Sequence, residues 1–269
     1  MTGLNPPIGV ANGNSYREEH LADAPLFEAV DVTLQYGDAI ALRDFSVVLR
    51  EGEQVAVIGP NGAGKSTLFK LIVGEKRPTQ GRASLYGTNP AEHLCVAYVP
   101  QRQSVDWNFP VTAKDVVMMG RTSRIGLFRW ARQVDREIVY RCLERVDGID
   151  LIDKQIGELS GGQQQRIFIA RALAQEADLL LLDEPLAGLD IPSQEKVLEV
   201  LDSISAEGIT LIVATHNLGI AAERFDKVLL LDGRLIAFGT PAEVLTADNL
   251  VKAYGSSRLM LPTYEREVD

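Results

Sequence analysis

Two glycine-rich segments hold the residues best suited to chemistry: GPNGAGKST at 59–67 and LSGGQQQR at 159–166. The first fits G-x-x-x-x-G-K-[ST] at every fixed position, through Gly59, Gly64, Lys65 and Ser66. Glycines let backbone N–H groups converge on phosphate oxygens, an approach that side chains would block. Lys65 is expected to reach the β- and γ-phosphates of a nucleotide, and the Ser66 hydroxyl to ligate Mg²⁺. An apolar run, EQVAVIG, precedes the loop and a helical STLFKLIVG follows it, which is the strand–loop–helix setting this chemistry requires. The dipole of that helix adds positive charge at the phosphates. Gly59, Pro60, Asn61, Gly62, Ala63, Gly64, Lys65, Ser66 and Thr67 are therefore assigned to nucleotide binding.

An acidic pair supplies what a phosphate loop lacks. In DLLLLDEP, Asp183 ends a continuous apolar run, where ligands of open α/β sheets collect, and its carboxylate suits Mg²⁺. Glu184 follows on the opposite face of the strand, available to polarise an attacking water. The second glycine loop has no lysine. Ser160, Gly161 and Gly162, with a helix starting at Gln163, offer N–H and O–H donors and a dipole end, a sensor for a terminal phosphate without a cation.

The elements that must position these groups follow from apolar periodicity. LFEAVDVTLQY and ALRDFSVVLREG alternate as strands about a GDA turn, and GRASLYG and LCVAYVP add two more. Between 101 and about 153 the period becomes helical, as in TAKDVVMMGR and QVDREIVYRCLERV. QQQRIFIARALAQ is an amphipathic helix with Ile167, Ala170, Leu173 and Ala174 on one face. DLLLLDEP reads as a central parallel strand covered on both sides. The helix SQEKVLEVLDSISAEG, the strand TLIVATH, a helix near LGIAAERF and a hairpin KVLLLDGRLIAFG turning at Asp232-Gly233 complete the chain. The fold class is α/β: a mostly parallel sheet core, an antiparallel β subdomain and an α-helical insertion at about 102–168. Residues 1–24, rich in Gly, Asn and Pro, read as a flexible tail, 25–255 as one domain and 256–269 as a C-terminal tail.

Composition narrows the partners. A net charge of -10 argues against nucleic acid, which selects clustered Lys and Arg. The two cysteines, Cys95 and Cys142, have no paired spacing and suit a reducing compartment. His93 and Cys95 lie close together, but without further ligands they read as part of a half-buried strand and not as a metal site. No apolar stretch approaches the ~20 residues of a membrane span and no secretory signal opens the chain, so it is expected in the cytoplasm, reaching a membrane only through a partner.

With LSGGQ between the phosphate loop and LLLLDEP, the sequence resembles the ATP-binding subunits of ABC transporters from about Pro25 to Leu245. That resemblance implies a P-loop (RecA-like) core and a head-to-tail dimer. Each ATP would lie between one copy's phosphate loop and the other's Ser160, Gly161, Gly162 and Gln163. It further implies that Tyr36 stacks on adenine, that Gln101 touches Mg²⁺ and that His216 contacts the γ-phosphate. Asp190 would belong to the loop crossing the dimer interface. Ala187-Gly188 and Asn217 depart from the family's commoner Ser-Ala and Asp. The run from Pro100 to Arg121, with P-Q-R, D-W-x-F-P-V, D-V-V and M-G-R, resembles the ATPases of manganese, zinc and iron importers. It implies polytopic membrane permease subunits and a separate extracytoplasmic metal-binding protein as partners, with contact just after Gln101. There Trp107 and Phe109 look exposed, and Arg121, Arg124 and Arg129 form a basic cluster. Rival readings are an ABC ATPase for another cargo, such as an iron chelate, and a soluble ABC ATPase for cofactor assembly. The 58 residues between Gln101 and Ser160 are too few for the long coiled coil of a repair ATPase.

Overall fold

The computed structural model describes residues 20–21, 23–102, 105–107, 109–126 and 129–255, so both expected tails fall largely or wholly outside the described residues. Two sheets organise the rest. Strands β1 (Phe27–Tyr36), β2 (Ala39–Leu49) and β4 (Gln80–Leu85) form an antiparallel sheet in the order β2-β1-β4. The second sheet runs β5-β6-β7-β3-β8-β9, with β3 (Gln54–Ile58), β5 (Val96–Val99), β6 (Leu179–Asp183), β7 (Thr210–Ala214), β8 (Lys227–Leu231) and β9 (Leu235–Gly239). Its first five strands are mutually parallel and only β9 is antiparallel.

The central strands are apolar without alternation because both faces are covered. Ala56, Ile58, Leu180, Leu182, Leu211 and Val213 face one core, shared with the inserted helices. Val55, Val57, Leu179, Leu181, Ile212 and Ala214 face the other, shared with the antiparallel sheet and helix α1 (Lys65–Ile72). The β8–β9 connection is a three-residue loop, Asp232 to Arg234, with Gly233 at φ 62. It is one residue longer than a two-residue Asp-Gly turn, because the register shifts between Leu230 and Leu231.

The insertion comprises α2 (Ala113–Met119), α3 (Thr122–Ile125), α4 (Gln133–Arg145) and α5 (Gly161–Leu173). Thr112 and Asp115 close a reciprocal cap on α2, fixing where it starts. A Cβ on Gly120, which follows α2, would meet the Arg171 carbonyl oxygen at 2.1 Å, so α2 packs on α5 only because this residue is glycine.

The next residue corrects the sequence reading. Arg121 belongs to no surface cluster: it is 5% exposed and donates to Asp135 Oδ1 (3.2 Å), the Ala174 carbonyl (2.8 Å) and Glu176 Oε2 (2.6 Å). Arg124 bonds the carbonyls of Gln175 and Glu176. Trp107 is partly buried, its ring centroid 4.9 Å from that of Phe168 and its indole N–H on the Arg102 carbonyl. Among the described residues the insertion exposes Phe109, Trp130 and Tyr140, Trp130 at 93%. Helices α6 (Ile191–Ala206), α7 (Leu218–Arg224), α8 (Pro241–Val244) and α9 (Ala247–Tyr254) complete the fold. Among the described residues no helix is long and apolar enough to cross a membrane.

Candidate functional site

Because β3, β6 and β7 are parallel, the segments after them emerge at one edge of the sheet, where ligands of such folds bind. Those segments are the phosphate loop, Asp183-Glu184 and Thr215-His216. Ser66 Oγ donates to Asp183 Oδ2 at 2.7 Å, and Tyr98 Oη donates to the same oxygen at 3.3 Å. Lys65 Nζ lies 3.7 Å from Glu184 Oε1 and donates to the Gly59 and Pro60 carbonyls at 2.7 and 3.4 Å. His216 Nδ1 is 2.8 Å from Glu184 Oε2. One cation, two carboxylates, two hydroxyls and an imidazole thus converge.

The loop that holds them is tightly constrained. A Cβ on Gly59 would stand 2.1 Å from the Leu231 carbonyl oxygen, and one on Gly64 would stand 2.7 Å from that of Ala41. Gly64, at φ 99, is the N-cap of α1, so its left-handed backbone turns the loop into the helix. Gly233 N–H donates to the Ala63 carbonyl, and Arg43 N–H donates to that of Gly233.

Glu184 is not free on the far face of the strand, as alternation would have it. It takes φ 51, ending the extended backbone, while its N–H still donates to the Ala214 carbonyl. Both of its carboxylate oxygens have neighbours, Lys65 and His216, and the side chain is 13% exposed against 67% for His216.

Tyr98 was absent from the sequence-based site. Burial first, and the Asp183 carboxylate second, push its phenol above the usual tyrosine range. Parallel pairing of Tyr98 with Leu181 sets it beside the strand that ends in Asp183, a neighbourhood invisible before the strand order is known.

Other expected site residues stand apart from this cluster. Tyr36, 41% exposed, ends β1, with Lys76 Nζ 5.4 Å from its ring centroid. Gln101 follows β5 by two residues. Ser160 caps α5, accepting from Gln163 N–H, while Gln163 Oε1 accepts from Ser160 N–H. Ser160, Gly162 and Gln163 line a cavity of about 190 Å³ with Pro192, Ser193 and Lys196, at the start of the helix that Asp190 caps.

Arg102 was likewise unassigned. Its guanidinium bonds Gln164 Oε1 twice, at 2.7 and 3.0 Å, and would meet a Cβ on Gly161 at 3.0 Å. The residue after Gln101 therefore presses on the second glycine loop. The two sequence departures also have local reasons. Gly188 sits at φ 72, and the Asn217 side chain caps α7 by accepting from Ile220 N–H.

A strand–loop–helix cradle, an acidic pair and a second capped glycine loop on one P-loop sheet define an ATP-binding cassette. The ABC transporter family profile matches residues 42–187, and the chain belongs to that family, whose cassettes are ATPases. It is 44% identical over 229 residues to the manganese transport system ATP-binding protein MntB of Bacillus subtilis, covering 85% of this chain and 92% of that one. The zinc transport system ATP-binding protein TroB of Treponema pallidum is 41% identical over 252 residues (91% and 94% covered). The chelated iron transport system membrane protein YfeB of Yersinia pestis is 44% identical over 230 residues (84% and 77%). Among solved structures, cbiO1 of Clostridium perfringens, part of the cbiONQ transporter complex, superposes with a TM-score of 0.73 at 28% identity (86% and 94%). A dimeric post-hydrolysis cassette bound to ADP and Pi gives 0.69 at 26% identity (80% and 98%).

Proposed function

We propose that this chain hydrolyses ATP to power uptake of a divalent transition metal, manganese, zinc or iron, through separate membrane subunits. The observation that carries the chemistry is the convergence of Lys65, Ser66, Asp183, Glu184 and His216 at one sheet edge. The cargo class is supported by the manganese, zinc and chelated-iron systems of its relatives.

Glu184 orients the attacking water and accepts its proton, while His216 Nδ1 at 2.8 Å holds the carboxylate in place. Lys65 leaves the Gly59 and Pro60 carbonyls to neutralise developing phosphate charge. The hydroxyl and carboxylate of Ser66 and Asp183 are hard oxygen donors already side by side, a pair that fits Mg²⁺; Gln101 would complete it. Mg²⁺ supplies charge neutralisation at the phosphates when bound. Tyr36 stacks on adenine in this reading, which its exposure at the strand end supports.

The second glycine loop completes the partner's site in a head-to-tail dimer, where Ser160, Gly161, Gly162 and Gln163 present N–H and O–H groups and the α5 dipole to the γ-phosphate. On the insertion, a groove of about 240 Å³ lined by Met118, Met119, Ile125, Asp115 and Arg129 is open to a membrane subunit. The cassette would then sit on the inner face of the cell membrane, with a separate extracytoplasmic protein delivering the metal.

Glu184→Gln tests the reading. Turnover should fall by about 10²-fold or more, and ATP should hold the variant as a dimer in size-exclusion chromatography. Expressed in the native cells, it should lower one cellular metal selectively, measured by mass spectrometry. Normal turnover would remove Glu184 from the mechanism. Unchanged manganese, zinc and iron, with the variant present and dimeric, would leave an ATPase for another cargo.

A further inference from the structure

The sequence gives His93 and Cys95 no third ligand, but the fold supplies one. His20, outside the ATPase site and 73 residues before His93 in the chain, is brought to them, and ligand atoms of all three lie within 4.8 Å of one another. We propose that His20, His93 and Cys95 form a binding site for Zn²⁺ or an ion of similar softness, clasping the segment before β1 to the start of β5.

Three observations build the site. Cys95 Sγ and His93 Nδ1 are 3.5 Å apart. Two ligands of a tetrahedral ion with Zn–S of about 2.3 Å and Zn–N of about 2.0–2.1 Å stand roughly 3.3–3.7 Å apart, so this pair is already set for one.

Next, Thr88 Oγ1 contacts His93 Nε2 and lies 3.3 Å from the Leu85 carbonyl; with its hydrogen on that carbonyl it accepts from Nε2–H. The Nδ1 lone pair is left facing the thiol, the outer-shell arrangement that ligating histidines use. His93 is not in a strand at all: it follows a single helical turn (Pro90–Glu92), and β5 begins only at Val96. The Cys95 carbonyl accepts from Asp178 and Leu179 N–H, which anchors the thiol's backbone.

Last, His20 is positioned by stacking on Tyr86, with ring centroids 3.6 Å apart, while Leu21 N–H donates to the Tyr86 carbonyl. From spacings within 4.8 Å, a closure of at most roughly 1.5 Å brings the three ligands to tetrahedral spacing. The donor set decides the ion: a thiolate and two imidazoles favour Zn²⁺ over Mn²⁺, which prefers carboxylate and water oxygens.

The test uses the full chain without a polyhistidine tag, titrated with Co²⁺ in the absence of nucleotide. One Co²⁺ per chain with thiolate-to-metal charge-transfer absorption is expected, displaced by Zn²⁺ and not by an equal concentration of Mn²⁺. Cys95→Ser and His20→Ala should abolish the band while Cys142→Ser keeps it. Thr88→Val, which removes the hydroxyl against His93 Nε2 and leaves all three ligands, should weaken binding about 10–100-fold. Nucleotide affinity of each variant reports that the fold is intact. Absence of the band in the wild type, its survival in Cys95→Ser or His20→Ala, or displacement by Mn²⁺ as readily as by Zn²⁺ would overturn the site. None of these outcomes bears on the ATPase reading.

Discussion

Removing the charge of Arg121 should cost more than any surface substitution on the insertion. Its guanidinium lies between Asp135, whose side chain is 8% exposed, the Ala174 carbonyl and Glu176. Arg121→Met keeps the stem but strands a buried carboxylate and a buried carbonyl. Breaking one partner from a buried pair costs roughly 3–5 kcal/mol. Asp135 keeps its bond from Arg132 N–H and Glu176, at 30% exposure, stays solvated, so the low end, about 3 kcal/mol, is expected. That is a large share of the ~5–15 kcal/mol by which domains are stable. The assay is urea unfolding followed by circular dichroism, for the wild type, Arg121→Met and Arg121→Met/Asp135→Asn. The asparagine retains an acceptor for the α4 cap but no charge, so the double variant should recover about 2 kcal/mol of the loss. A single-variant cost below about 1 kcal/mol, or a double variant no better than the single, would show that the ion pair does not hold the insertion together.

Two further predictions follow from buried groups. Gly59→Ala drives a Cβ to 2.1 Å from the Leu231 carbonyl, a backbone atom that cannot step aside, so a loss of about 2–3 kcal/mol and weakened nucleotide binding are expected. Wild-type unfolding and fluorescent-nucleotide affinity in that variant would refute the contact. The phenols of Tyr86, Tyr98 and Tyr254 are all raised, chiefly by burial. A raised folded-state value means their contribution is complete below the ordinary tyrosine value of about 10 and is lost as pH rises beyond it. Thermal melts across pH 9–12 should show falling stability, with tyrosinate absorbance from these three appearing only as the chain unfolds.

Much of the site was legible because it depends on local chemistry. The phosphate loop announces itself by spacing, and the apolar runs before Gly59 and Asp183 reveal buried parallel strands whose ends must meet. What was not legible depends on neighbours far apart in sequence. Tyr98 enters through strand order, and His20 joins His93 and Cys95 through the path of the segment before β1. Arg121 and Trp107 look like surface residues because an arginine between helical stretches says nothing about what covers it. Glu184 escaped strand alternation through one left-handed residue, φ 51, which no periodicity records.

The β8–β9 loop has a consequence for nucleotide affinity although it supplies no phosphate ligand. Leu231 and Gly233 brace the loop that runs from Gly59 to Ala63, and β2 braces Gly233 in turn. A nest of N–H groups wedged between a hairpin and a strand loses little conformational entropy when a phosphate arrives, so less of the binding energy is diverted into ordering it. Affinity is thereby set in part by residues about 170 positions downstream of the nest. Lengthening the turn at Asp232 to Arg234 should loosen the cradle and slow nucleotide capture, even with every residue of the phosphate-binding motif left in place.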